Sequence, residues 1–555
     1  MDYGTTSLLP PLIAIVLALL THRVLLPLAA GILVGAALLA DTSAESGGVV
    51  STGTIFFVRL WESVRDPDHL LVFAFTILLG MMVGVIEAAG SMRRAIFRLA
   101  TRVRDRRGVQ TLIAVSGLAV FFDDYANTLL VGGTMRSTAD RFGISRAKLA
   151  YLVDSTAAPV AGLALVSTWV ATELSYLQSG IDASHYGQSA DGTPPIRVFD
   201  FFLQSIPYRF YPWFALAMVF IIARTGRDFG PMRVAEENAI QARRENPDEV
   251  SESNEAVLES KSALGDVVEA LLPIVVCLTA VLVTLVVTGR AVLAESPVAS
   301  DVATSSSWLG ALKQAGDIVG SGNSYWALVI GGGCGLATAT FLAGSVSPIG
   351  IGRLARGWFD GAMQMMPAMA VLWLAWALSS MTGKDSLDTG GYLSSLLSDR
   401  IDIRLLPTCV FVLAGAIAFA TGTSWGTMAI VTPIAVSLVL DMQADASPLI
   451  AANSPIALAT FSGVLAGAIF GDHCSPISDT TVLSSRACGC DHVLHVKTQM
   501  PYALLAGGVC IVTGTLPVAF GVPVWVCFAA GIVSLLLITR WLGVRPGAET
   551  TVNDE

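Results

Sequence analysis

Charge is what this sequence has least of. Asp, Glu, Lys and Arg make up 14% of its 555 residues, against roughly a quarter in soluble domains. Hydrophobic residues make up 54%, and the mean hydropathy is +0.67. That excludes a water-soluble fold and predicts an all-α polytopic membrane protein. Free basic patches are missing too. Most Lys and Arg flank apolar runs, where they set orientation, so no nucleic-acid partner is expected. The net charge of -10 comes largely from polar loops. No basic n-region precedes the first apolar run, which predicts a retained first span rather than a cleaved signal. No disulfide framework is apparent. The eight cysteines are scattered, and Cys277, Cys334, Cys409, Cys510 and Cys527 lie inside apolar runs.

What is present is a series of apolar stretches long enough to span a bilayer. They fall near 5–21, 24–40, 70–90, 146–172, 207–223, 265–289, 324–344, 359–381, 455–486, 501–520 and 522–540, about 11 helices. Two segments, 109–135 and 404–441, instead have two short apolar halves meeting at a polar break. The breaks are Asp123-Asp124 in the first and Thr421-Gly-Thr-Ser424 in the second. Arginines crowd both flanks of the first segment, at 93–107 and 136–146. By the positive-inside rule both flanks are cytoplasmic, so 109–135 reads as a re-entrant hairpin.

Counting outward puts the N-terminus and residues 173–206 and 290–323 outside. Residues 224–264 become a mobile cytoplasmic loop, its aromatics limited to Phe229, and the C-terminus is cytoplasmic. The second hairpin then enters from the opposite side. Residues 1–223 and 265–520 read as two inverted repeats, followed by one extra span and a tail at 521–555. Each repeat has an acid shortly before a proline, at Asp154–Pro159 and Asp472–Pro476. Proline removes a backbone donor, so the helices at 146–172 and 455–486 are expected to unwind there. Inverted repeats with broken helices are a secondary-transporter architecture.

Acids at bilayer depth are costly and mark function. A hard cation wants oxygen ligands. The breaks supply Asp123, Asp124, Asn127, Asp154, Ser155, Thr156, Asp472, Ser475 and Asp479, with Asp123, Asp124, Asp154 and Asp472 the candidate sodium ligands. Thr421, Thr423, Ser424, Trp425 and Thr427 are candidate substrate-lining residues. No Lys or Arg lies within these breaks to neutralise the acids. His473 reads as the only histidine deep in a span and could shuttle a proton. Glu87 and Glu173 close their spans and read as interfacial. The cluster Cys488, Cys490, Asp491, His492 and His495 fits no zinc spacing. Gly422-Thr-Ser424-Trp-Gly426 matches the nucleophile elbow of hydrolases, so an intramembrane serine hydrolase using Ser424 and His473 is a remote alternative.

The blocks FFDDYANTLLVGGTMR (121–136), KLAYLVDSTAAPVAGLALVSTW (148–169), GTSWGTMAIVTP (422–433) and GDHCSPISDTTVLSS (471–485), followed by GCDHVLHVKTQ (489–499), resemble the NhaC-type sodium/proton antiporter family. The resemblance implies a multi-pass cell-membrane transporter exchanging sodium, or a related monovalent cation, for protons. The transported ions take the place of any cofactor, and a homodimer is allowed. It implies ion-site roles for Asp123, Asp124, Asn127, Asp154, Ser155, Thr156, Asp472, His473, Ser475 and Asp479. Related members resemble carriers of organic acids and amino acids, so a sodium- or proton-coupled carrier of such a solute stays open.

Overall fold

The computed structural model describes residues 3–21, 23–41, 48–187, 196–245, 263–295, 318, 322–346, 349–383, 385–397 and 401–547. Most of the expected outer segment 290–323, and residues 246–262 of the expected cytoplasmic loop, lie outside the described residues. The described chain is helical apart from one antiparallel bridge between Asp228 and Val544. Nine of its helices are long and apolar enough to cross a membrane. Two of these, Ile403–Thr421 and Ser424–Asp441, are the arms of the second hairpin.

Both hairpins fold back on themselves. In the first (Arg106–Ala119 and Asp124–Arg141), the two ends meet at one carboxylate. Glu236 pairs with Arg106 and accepts a hydrogen bond from the Ser145 backbone N–H at 2.7 Å. In the second (Leu406–Thr421 and Ser424–Asp441), Leu406 and Met442 line the same cavity although they lie at opposite ends of the segment. The tips are built alike. Gly422, at φ +70, ends the first arm of the second hairpin, and extended Thr423 then caps Gly426. Asp123 is extended in the same way and caps Ala126 at 2.7 Å.

Each hairpin is followed by a broken helix. The first comprises Arg146–Ala161 and Val170–Asp182, the second Pro455–Cys474 and Asp479–Cys488. The second opens at its proline, as expected. The first does not: Pro159 stays helical and the chain unwinds at 162–169. The two run in opposite directions. The first leads from the base of the first hairpin to that of the second, where the His185 N–H reaches Asp441 at 2.6 Å. The second ends back at the first base, where Arg146 donates to the Cys488 carbonyl at 2.8 Å.

Glycine sets how closely these parts pack. Gly463, Gly467 and Gly471 form a stripe on the second broken helix, and a Cβ at any of them would meet the backbone of Pro407, Phe411 or Gly415. The first arm of the second hairpin therefore lies backbone to backbone along it. Asp472 follows directly after this stripe.

Other departures from the sequence reading have local causes. Gly48–Arg65 is a helix, passed over because Arg59, Glu62 and Arg65 interrupt its apolar face. Gly230–Glu245, inside the expected mobile loop, is a helix docked by buried Met232 and Glu236. The expected span at 207–223 is part of a longer pair, Val198–Tyr208 and Phe210–Thr225, bent by 43° at Arg209. Glu173 is not interfacial: it is buried and pairs with buried Arg209 at 2.8 Å. Glu87 is also largely covered, with Oε1 buried and without a hydrogen bond.

Candidate functional site

The four breaks in helical structure meet at one place. The Thr168 N–H, in the first broken helix, donates to the Phe122 carbonyl at the first hairpin tip, at 2.9 Å. The Asp479 N–H, in the second broken helix, donates to the Gly422 carbonyl at the second tip, at 3.3 Å. Two side-chain contacts join these pairs. The Tyr125 hydroxyl donates to Asp479 Oδ2 at 2.6 Å, and the rings of Trp169 and Trp425 lie 5.4 Å apart. Unwound backbone at bilayer depth is tolerated because it is buried here in protein.

Asp123, Asp124, Asp154 and Asp472 are all at 1% exposure or less. Burying a carboxylate is expensive unless it is paired or holds a cation. Asp123 spends Oδ1 on the Ala126 cap, and Oδ2 has no hydrogen bond. Neither oxygen of Asp124 accepts one. Asp472 Oδ2 accepts from the Thr480 hydroxyl at 2.9 Å, while Oδ1 is unpartnered. Asp154 Oδ2 accepts from Gln499 Nε2 at 2.6 Å and lies 3.5 Å from His495 Nε2, with Oδ1 unpartnered. Among the described residues, none of the four forms an ion pair with Lys or Arg. Buried carboxylate oxygens that accept no hydrogen bond, on both sides of the junction of the breaks, are a donor set suited to a hard cation.

Comparison with known proteins decides the family of a chain with this site. A model of the Na+/H+ antiporter family matches residues 160–516. The chain belongs to the Na+/H+ antiporter family. An uncharacterized protein of Haemophilus influenzae is 34% identical over 532 residues, covering 96% of this chain and 94% of that protein. An uncharacterized Na(+)/H(+) antiporter of the same organism is 34% identical over 114 residues, 20% of this chain and 22% of that protein. A malate-2H(+)/Na(+)-lactate antiporter of Bacillus subtilis is 32% identical over 116 residues, again 20% of this chain and 22% of that protein. The fold is similar to the crystal structure of the Alcanivorax borkumensis YdaH transporter, with TM-score 0.57 and 16% identity, covering 93% of this chain and 99% of that one. The chain is thus a multi-pass membrane transporter and not an enzyme.

Several predicted site residues of this antiporter-family chain serve as fasteners. Asn127 Nδ2 donates to the carbonyls of Gly117, Val120 and Thr156 at 2.7, 3.1 and 3.1 Å, stapling the first tip to the first broken helix. The Thr156 hydroxyl bonds back to Leu152 within its own helix, and Ser155 is buried beside it. The Ser475 hydroxyl holds the Phe419 carbonyl at 2.7 Å. Thr421 and Thr427 bond back to Ile417 and Thr423. Thr423 is a cap, and Trp425 carries the indole contact.

The hydrolase alternative loses its geometry. Ser424 Oγ donates to the Ala468 carbonyl at 3.4 Å, and His473 Nδ1 shares a hydrogen bond with the Tyr211 hydroxyl at 2.9 Å. His473 is also not alone. His495, which its spacing had grouped with two cysteines, is fully buried beside Asp154. Sequence reasoning missed Tyr125, Trp169, His495 and Gln499 as site residues. Gln499 carried a usable signal, an amide directly before the long apolar run of the helix His492–Val509.

Proposed function

We propose that this transporter exchanges sodium, or a related monovalent cation, for protons by alternating access. The observation that carries the reading is the convergence of four buried aspartates with unpartnered oxygens and, among the described residues, no Lys or Arg partner. Asp123, Asp124 and Asp472 would bind the cation, with Asp154 and Asp479 completing the acidic path. Protons and sodium then compete for the same oxygens, since a buried carboxylate without a cation is best tolerated protonated. The halves 1–223 and 265–520 act as inverted repeats that rock against each other. The opposed hairpins and antiparallel broken helices support this arrangement. The arginines at the base of the first hairpin favour a cytoplasmic position for that base, with the N-terminus outside and the C-terminus inside.

A second reading, a sodium- or proton-coupled carrier of a small organic acid, draws on one specific feature. The Trp425 indole N–H is buried beside the site without an acceptor. A bare cation has no use for such a donor, whereas a carboxylate or hydroxyl does.

The test is collapse of an imposed pH gradient in proteoliposomes. Sodium or lithium alone should dissipate the gradient. Dissipation that requires malate, lactate or another organic acid would replace the first reading with the second.

A further inference from the structure

A cavity of about 230 Å³ opens between the two arms of the second hairpin, near its base. Ile15, Cys409, Leu413, Ile434, Ala435 and Leu438 contribute to its wall, and no charged or amide side chain lines it. Cys409 and Leu413 are exposed on the outer side of the first arm, so the cavity communicates with the face that the bilayer covers. An apolar hole of this kind is poor in water. In a bilayer, the apolar matter at its mouth is the lipid acyl chain.

The rim carries the complementary charge. Arg404 stands between the lining residues Ile403 and Leu406 and is exposed. Its guanidinium lies 5.5 Å from the centre of the Phe520 ring, and among the described residues it pairs with no carboxylate. The neighbouring Asp402 is turned to the backbone, accepting from the Arg404 N–H at 2.9 Å. A guanidinium fork held over an aromatic ring at the end of a membrane helix is suited to a phosphate.

We propose that this is a binding site for an anionic phospholipid, its phosphate on Arg404 and one acyl chain inserted between the hairpin arms. The chain contacts both arms at once and so acts as a wedge that fixes their separation. Nothing in this assignment depends on which ion or solute is carried.

The experiment is photo-crosslinking of the full-length protein in phosphatidylcholine bilayers doped with phosphatidylglycerol bearing a diazirine on its acyl chain. Adducts mapped by peptide mass spectrometry should concentrate on 401–413 and 431–442, well above the lipid-facing helix Val524–Leu542. Arg404→Glu, a surface change, should lower the yield at these sites by about fivefold or more. Ala435→Trp, which fills the cavity, should abolish it. If that variant does not fold, the wild-type protein still decides the matter, because diazirine-labelled phosphatidylcholine should crosslink there several-fold less. Adducts spread evenly over the exposed helices would overturn the site. Equal yields from the two head groups, unchanged by Arg404→Glu, would overturn the phospholipid assignment.

Discussion

At the scale of single residues, the acids differ in how fully the protein satisfies them. Asp124 accepts no hydrogen bond and Asp472 is held by Thr480, whereas Asp154 is held by both Gln499 and His495; Asp154 and Asp472 each keep Oδ1 unpartnered. Asp→Asn keeps the shape and removes both charge and titration. Asp124→Asn and Asp472→Asn should therefore abolish exchange while expression and melting temperature stay near wild type. Wild-type rates in both would discard the proposed site. Ser424→Ala removes one weak hydrogen bond and should leave measurable transport, read as a modest rise in the sodium concentration for half-maximal rate. The acids themselves were legible in the sequence, because a carboxylate in an apolar run costs too much to stand there without a use. Their partners were not. Tyr125 with Asp479 and Asp154 with Gln499 join residues more than three hundred positions apart. A helix buried on every side also gives no periodicity to say which face points inward.

At the scale of elements, the polar breaks were readable because Gly422, Asp123 and Thr423 are stop and start signals. The exact place of unwinding in the first broken helix was not. Its proline is accommodated within the helix, and the chain opens only after Gly162. The docked helix Gly230–Glu245 was not legible because one buried methionine and one buried carboxylate, rather than an apolar stripe, anchor it. Burial raises the Glu236 carboxyl above its ordinary value of 4.5, opposed by Lys148 and Arg106. The sign follows from linkage. The folded form holds this proton more tightly than the unfolded one, so its contribution to stability is full below about 4.5 and declines as pH rises through the raised value. Glu236→Gln cannot titrate, so its melting temperature should lack this decline as pH rises above about 4.5. An identical pH slope in the variant would count against the assignment.

Over the whole molecule, the first hairpin's two ends should face the same side of the membrane. Single cysteines in place of the exposed Arg102 and Arg141 should both resist an impermeant maleimide added to intact cells and react after permeabilisation. Labelling of just one of them would rule out the hairpin. The glycine stripe at 463, 467 and 471 makes a separate demand. Gly467→Leu places a side chain where the Phe411 backbone lies and should cost the protein its fold, seen as loss of monodisperse material on extraction.

The meeting of the four breaks also bears on how the chain is made. Ribosomes deliver the first hairpin hundreds of residues before Asp479 and Gln499 exist, so its acids enter the membrane without their later neighbours. Two arrangements hold it in the interval. Asn127 closes the tip against Thr156, and Glu236 gathers the two ends at the base. Both need no residue beyond position 236. The first half can thus wait as a closed, internally bonded unit, and the candidate site comes into being when the second broken helix is threaded against it.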